Sequence, residues 1–340
     1  MDDYQLNRLR MFKIHIIKPR WQKVVIALIY ILAISYAVMN YDIIIGFDLQ
    51  SPRSIIAAQI NSMPLADEPT QTAAPTAAPP TVPPSMQPVL ALDMHTDTAT
   101  GVKINNASGL TFDQAALTAK PLGIKIDNNG PQVLFVNTHS SEAFMSTDSL
   151  FYDPNDPTRS EDMSQTVMQV ATQMSKILES MGIKTVQDTS IHDYPYYNGS
   201  YASSLASDEE YLKKYPSIKV ILDVHRDAMQ RDDGTRIKDV VNINGQQTAQ
   251  VMVVSGTNAN GLDDPHWQDN LAFAIKWQEQ MDKDTPELTR PIDLRADRFN
   301  THLTTGSLLV EIGSCANTLD EAVRGGQLAA TSLGNLLLGK

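Results

Sequence analysis

Residues 216–228 read PSIKVILDVHRDA, and they decide the fold. The run 219–224 is almost continuously apolar, the composition of a strand covered on both faces, and such strands belong to mostly parallel sheets. It delivers Asp223, His225, Arg226 and Asp227 to its carboxyl end. Working outward, the same pattern returns on either side. Upstream, 132–137 (QVLFVN) follows Gly130-Pro131 and reads as a strand that ends in Thr138 and His139, with 183–186 as a briefer one. Between them 163–181 carries Val167, Val170, Met174, Ile177 and Met181 at helical spacing, with Gly182 placed to stop it. Downstream come a strand at 250–254, a helix at 270–282, a strand at 307–312 and a last helix at 318–338 capped by Asn317 or Thr318. The alternation predicts an α/β domain built on a mostly parallel sheet with helices on both faces, whose ligands gather at the carboxyl ends of the strands.

The chain ahead of that domain has a different composition. Residues 1–23 form a tail carrying Arg8, Arg10, Lys13, Lys18, Arg20 and Lys23. Residues 24–41 are uncharged and apolar, long enough for a helix across a hydrocarbon core of about 30 Å. Trp21 and Tyr41 stand at the two ends, where amphipathic rings are favoured. The basic tail predicts a cytoplasmic N-terminus and a single-pass protein of the cell membrane, its domain extracytoplasmic. Residues 42–94 read as a disordered spacer, rich in Pro, Thr and Ala over EPTQTAAPTAAPPTVPPSMQP, and 95–340 as the domain. The net charge of -12 argues against nucleic acid as a partner. A single cysteine, Cys315, excludes an intrachain disulfide and any cysteine-rich metal cluster.

Three predicted strands therefore end in His139, with Glu142 just beyond it, in His225, and in Glu311. Two imidazoles and a carboxylate are the ligands a catalytic zinc takes while keeping one position open for water. His139, His225 and either Glu142 or Glu161 make up that set, and sequence distance does not choose between the two glutamates. Glu311, on a strand of its own, suits a proton carrier that serves the water and the leaving amine. Arg226 either pairs with its neighbours Asp223 and Asp227 or, with Arg295, Arg298, Asn300 and His302, is a candidate for holding a substrate carboxylate.

The stretches NTHSSEAF (137–144), HDYPYYNGSY (192–201), PSIKVILDVHRDA (216–228), VMVVSGTNAN (251–260), LTRPIDLRADRFNTHL (288–303) and GSLLVEIGSCANTLDEA (306–322) resemble, in order and spacing, the stage II sporulation protein P family. The resemblance covers essentially all of 120–340. It implies an amidase-like zinc hydrolase of peptidoglycan that cuts the N-acetylmuramoyl-L-alanine bond, with peptide cross-links as a second target, during engulfment of the forespore. It also implies a place at the septal and forespore-engulfing membrane, beside sporulation protein D (a lytic transglycosylase) and sporulation protein M. A non-catalytic or partner-activated wall-binding component is the alternative. By motif, His139, Glu142, His225 and Glu311 fall on the family's histidines and acids, and Arg298 and His302 in its arginine- and histidine-containing loop. The chain departs from the family at Asn137, where histidine is common, at Ala143-Phe144 and at Ser314-Cys315-Ala316.

Overall fold

The computed structural model describes residues 85–95, 101–127 and 129–340. In chain order the elements are β1 (Gln87–Leu92), β2 (Ile104–Asn106), α1 (Gln114–Ala119), β3 (Val133–Val136), β4 (Phe151–Tyr152), α2 (Val167–Ser180), β5 (Thr185–Gln187), α3 (Ser200–Lys214), β6 (Val220–Asp227), β7 (Arg236–Ile243), β8 (Gln246–Ala249), β9 (Val251–Ser255), α4 (Trp267–Asp284), β10 (Ile292–Leu294), β11 (Ser307–Ser314) and α5 (Leu319–Leu338). Short 3-10 turns occupy Met163–Gln165 and Thr301–Leu303.

Seven strands form the main sheet in the order β2-β10-β9-β11-β6-β3-β5. Every residue of β6 is buried, and alternate side chains serve two environments. Val220, Leu222 and Val224 join Val133, Phe135, Leu308 and Val310 in the main core beneath α2, α4 and α5. On the other face Leu134, Val136 and Ile221 pack against Tyr211 and Leu212 of α3. Helix α5 lies close on the sheet because glycine permits it. A Cβ on Gly325 would strike the carbonyl oxygen of Ala249, and one on Gly326 would come within 2.8 Å of Val170 Cγ1. Thr318 caps α5, accepting from the Glu321 amide while the Glu321 carboxylate accepts from the Thr318 amide.

The two sheets together correct the expectation of a mostly parallel architecture to a mixed one. β2, β10 and β9 run parallel to one another, and so do β11, β6, β3 and β5, but the two blocks meet at β9 and β11, which are antiparallel. A second, four-stranded sheet, β4-β1-β7-β8, contains two antiparallel pairings, β1 with β4 and β7 with β8. The physical cause is the β7–β8 hairpin. Asn244 and Gly245 both take positive φ, the backbone of a tight turn. Only Gln250 separates β8 from β9, so β9 enters the main sheet in the direction the hairpin leaves it. The apolar run at 250–254 records burial and not direction.

Strand β1 lies within residues that the sequence assigns to the spacer, and it pairs in parallel with β7 from Val89 to Leu92. The membrane expectation is also corrected. No helix among the described residues is long and apolar enough to cross a bilayer, so the single-pass location has no structural support. The longest helix among the described residues, α5, carries Asp320, Glu321 and Arg324 in its first turns. The span expected at 24–41 and the basic tail at 1–23 lie outside the described residues.

Candidate functional site

β3 and β6 run side by side, with Val136 opposite Asp223, so the loop after β3 rises against the end of β6. Asp223 fixes that loop by accepting from the Thr138 amide at 2.8 Å. Asn137 gives Nδ2 to the Val224 carbonyl at 2.6 Å and so ties the loop to the neighbouring strand. His139 and His225 are thereby brought together with ring centroids 5.2 Å apart, edge to face.

Both imidazoles are buried, and their charges differ. Burial, with the charge of His225 adding, lowers His139 to about 4, so its ring is neutral at pH 7. Its Nδ1 is buried without a hydrogen-bond partner. The ring stacks on Tyr197 at 4.6 Å, and Nε2 lies 3.1 Å from the Tyr197 hydroxyl. Burial also presses His225 downward, but Asp223 and Glu142 outweigh it and raise the imidazole well above its usual range. His225 Nδ1 is 3.4 Å from Glu142 Oε2, and Nε2 is 2.9 Å from Asp223 Oδ1 without the alignment of a hydrogen bond. His225 thus stands between two buried carboxylates, one at each ring nitrogen.

Glu142 is buried, which by itself would raise its carboxyl. The Arg226 guanidinium and His225 overcome that and hold it well below the usual range. Oε2 accepts from the Arg226 amide at 3.3 Å, and Oε1 lies 3.6 Å from Arg159 Nη2. Glu311 stands opposite His225 in the parallel β6–β11 pairing. The residue is half-buried, but its Oε2 is out of water with no partner, and burial together with Asp227 pushes the carboxyl up to about 8. Below this layer Arg290, itself buried, bridges Asp227 at 2.9 Å and Asp239 at 3.0 Å.

The other sequence candidates separate. Glu161 is exposed, and its carboxylate meets the hydroxyl of Tyr194. Arg226 is buried and donates to the carbonyls of Ala143 (3.0 Å), Thr158 (2.7 Å) and Asp227 (3.4 Å), which makes it a brace for the Glu142 loop. Arg295 lies 2.6 Å from Asp293, and Arg298 donates to the Asp263 carbonyl. Asn300 donates to the Tyr201 carbonyl at 2.9 Å, and the Tyr201 ring meets His139 edge-on, so Asn300 is coupled to the site through that tyrosine. His302 is half-buried and is lowered by burial and by Arg298. Sequence reasoning missed Arg159, which lies over the Tyr197 ring at 4.7 Å and pairs with Asp193. It also missed Arg290 and Asp239. Asp193 stands beside His192 in a quoted motif and was a usable signal, whereas Arg159 sits in a polar loop that carries none.

Among the described residues no group of three or more His, Cys, Asp or Glu side chains is arranged to hold a metal ion. The donor set nevertheless fits zinc in kind. His139 Nδ1 is buried without a hydrogen-bond partner, His225 turns Nδ1 toward the ionised Glu142 carboxylate and Nε2 toward Asp223, and one ring nitrogen on a metal with the other on a carboxylate is the usual setting of a ligating histidine.

Residues 50–334 match the model of the family described as Stage II sporulation protein P (SpoIIP). The chain belongs to that family. It is 26% identical over 211 residues to the stage II sporulation protein P of Bacillus subtilis (strain 168), across 58% of this chain and 49% of that protein. The chain thus spans about half the length of the curated relative it matches. Among solved structures it is similar to the N-acetylmuramyl-L-alanine amidase Ami1 of Mycobacterium smegmatis, with 10% identity, a TM-score of 0.35 and coverage of 63% of this chain and 100% of that one. It is similar also to the CwlD amidase of Clostridioides difficile in complex with the GerS lipoprotein, with 12% identity, a TM-score of 0.36 and coverage of 62% and 100%. At those scores the likeness carries no argument about this chain. The expected partners are corrected accordingly. Neither the family match nor these relatives bring in sporulation protein D, sporulation protein M or a membrane anchor.

Proposed function

We propose that this protein is a peptidoglycan hydrolase of sporulation that cuts amide bonds, the N-acetylmuramoyl-L-alanine bond first and peptide cross-links second, with zinc held by His139, His225 and Glu142. The observation that carries the reading is the meeting of two buried imidazoles, one buried carboxylate and the unpartnered Glu311 oxygen at one end of the sheet. When bound, zinc would polarise the scissile carbonyl and lower the pKa of a water. The chain's own part is positioning and proton movement. Tyr197 backs His139, Arg159 and Arg226 keep Glu142 ionised and in place, and Asp223 orients His225 from the side away from Glu142. Glu311, whose Oε2 has nothing else to bond and whose carboxyl is raised to about 8, would hold the proton that passes to the departing amine.

The test is digestion of purified peptidoglycan, read by mass spectrometry alongside metal content. We expect stem peptides to be released with zinc and not with a chelator. His139→Ala should lose bound metal. Glu311→Gln should keep it and slow release by roughly 10²–10⁴-fold, the range of general acid–base catalysis. An intact wall in the presence of folded, zinc-loaded protein would sink the hydrolase reading and leave a wall-binding component.

A further inference from the structure

A second cavity, of about 340 Å³, lies behind the Glu142 loop, between that loop and the four-stranded sheet. Phe144, Tyr152, Asp153, Asp156, Arg236 and Cys315 are among the residues that line it. Its wall includes Ala143 and Thr158, whose carbonyls hold Arg226, so the cavity and the candidate site share one partition.

Arg236 sets this cavity apart. Only 8% of the residue is exposed, and its Nε is buried with no hydrogen-bond partner. The guanidinium lies over the Tyr152 ring, its carbon 3.7 Å from the centroid, and it is in reach of the Tyr152 hydroxyl, which itself donates to the Gly234 carbonyl at 2.6 Å. Other buried cations of the described residues are compensated. Arg290 has Asp227 and Asp239, Lys238 has Asp148 and Glu321, and Arg226 has three carbonyls and Glu142. Arg236 has no carboxylate among the described ion pairs. A buried charge without a counter-ion is costly, and a guanidinium held by one face presents its fork to a planar carboxylate. The acids at the rim qualify what that ligand is. Asp153 uses Oδ1 on the amide and side chain of Asn155, and Asp156 is exposed. They disfavour a bare dianion and favour a positive charge held near the carboxylate.

We propose that this cavity is a substrate subsite for a free amino-acid end, a carboxylate with an ammonium beside it, such as the diamino-acid side chain of a stem peptide would present. The proposal rests on the reading of peptidoglycan as substrate and names the part of that substrate which this cavity grips. Arg236 takes the carboxylate, Tyr152 and Phe144 cover the short carbon body, and Asp153 or Asp156 meets the ammonium.

The experiment is a binding titration followed by NMR on the full chain, so it does not depend on hydrolysis. The probes are meso-diaminopimelic acid, pimelic acid (its carboxylates without amines) and cadaverine (its amines without carboxylates). We expect meso-diaminopimelic acid to bind best, pimelic acid more weakly and cadaverine not at all. Arg236→Gln should weaken meso-diaminopimelic acid at least about tenfold, the worth of a charge-assisted pair. Because Arg236→Gln risks the fold, Asp156→Asn at the exposed rim serves as the second variant. It should weaken meso-diaminopimelic acid and leave pimelic acid unchanged. Failure of meso-diaminopimelic acid to bind the unaltered protein, or equal affinity in a folded Arg236→Gln, overturns the subsite. Binding that persists in a preparation unable to digest wall would sink the hydrolase reading and leave the subsite standing.

Discussion

Strand β6 divides its side chains between two regions that are held by different physics. Val220, Leu222 and Val224 face a core in which helices supply shape, and Asp223, His225 and Asp227 face a layer of acids and bases set against one another. The alternation costs the chain nothing beyond the pleat of the strand. It places a stiff apolar scaffold one residue away from each reactive group. The apolar side should therefore respond to lost volume and the polar side to lost charge or a change of pH.

The largest break is expected on the apolar side. Trp277 is fully buried, stacks on Phe273 and donates Nε1 to the Ala329 carbonyl at 3.1 Å, which joins α4 to α5. Trp277→Ala should cost about 3–5 kcal/mol of stability, measured by urea unfolding. Metal bound per folded molecule should not change. A loss of metal from the folded variant would show that the two faces are not separable.

The polar side is sharpened by pH. Asp208 of α3 is buried with Oδ1 unpartnered, and burial first, then Asp223, Asp188 and Glu209, raise its carboxyl from 3.8 to about 8. The folded protein therefore keeps a proton on Asp208 at pH values where the unfolded chain has released it. The resulting stability is complete below about pH 3.8 and is lost as pH rises through about 8. Asp208→Asn removes this titration. Its stability relative to the unaltered protein should rise by a few kcal/mol between pH 5 and pH 9. Parallel urea midpoints across that range would refute the assignment.

The same division explains what could be read in the sequence. Apolar strands and helices announced themselves, and the run at 163–181 became a 3-10 turn and then α2 because Thr166 caps the helix inside it. Helix α3 escaped notice since it buries Ser200, Ser204 and Asp208, a face with no apolar period. β1 was hidden by its place at the end of a proline-rich stretch, and the direction of β9 by the indifference of an apolar run to polarity. At the candidate site, the sequence could group His139, Glu142, His225 and Glu311 because each lies near the carboxyl end of an apolar run or just beyond it. Arg226 was left open between the two roles, since no sequence pattern distinguishes a guanidinium that binds ligand from one that braces carbonyls. Arg290 and Asp239 come from separate strands and loops, and their partnership exists only once the two sheets pack.

The smallest expected effect decides between the two glutamates that the sequence left open. Glu142 is buried among Arg159, Arg226 and His225, so its carboxylate is desolvated, ionised and directed at the histidines. Glu161 is exposed and engages Tyr194, where water screens its charge. A metal ligand must be held within reach of the other donors before the ion arrives, and only Glu142 meets that condition. Glu161→Gln should leave zinc content unchanged and any wall digestion within about twofold, as surface substitutions do. Glu142→Gln should lower zinc content sharply, because its amide lacks the negative charge that the ion requires. Elemental analysis of the two folded variants side by side is the check. Loss of zinc from Glu161→Gln, with retention in Glu142→Gln, would reverse the assignment and require the loop at 153–162 to fold inward over His139.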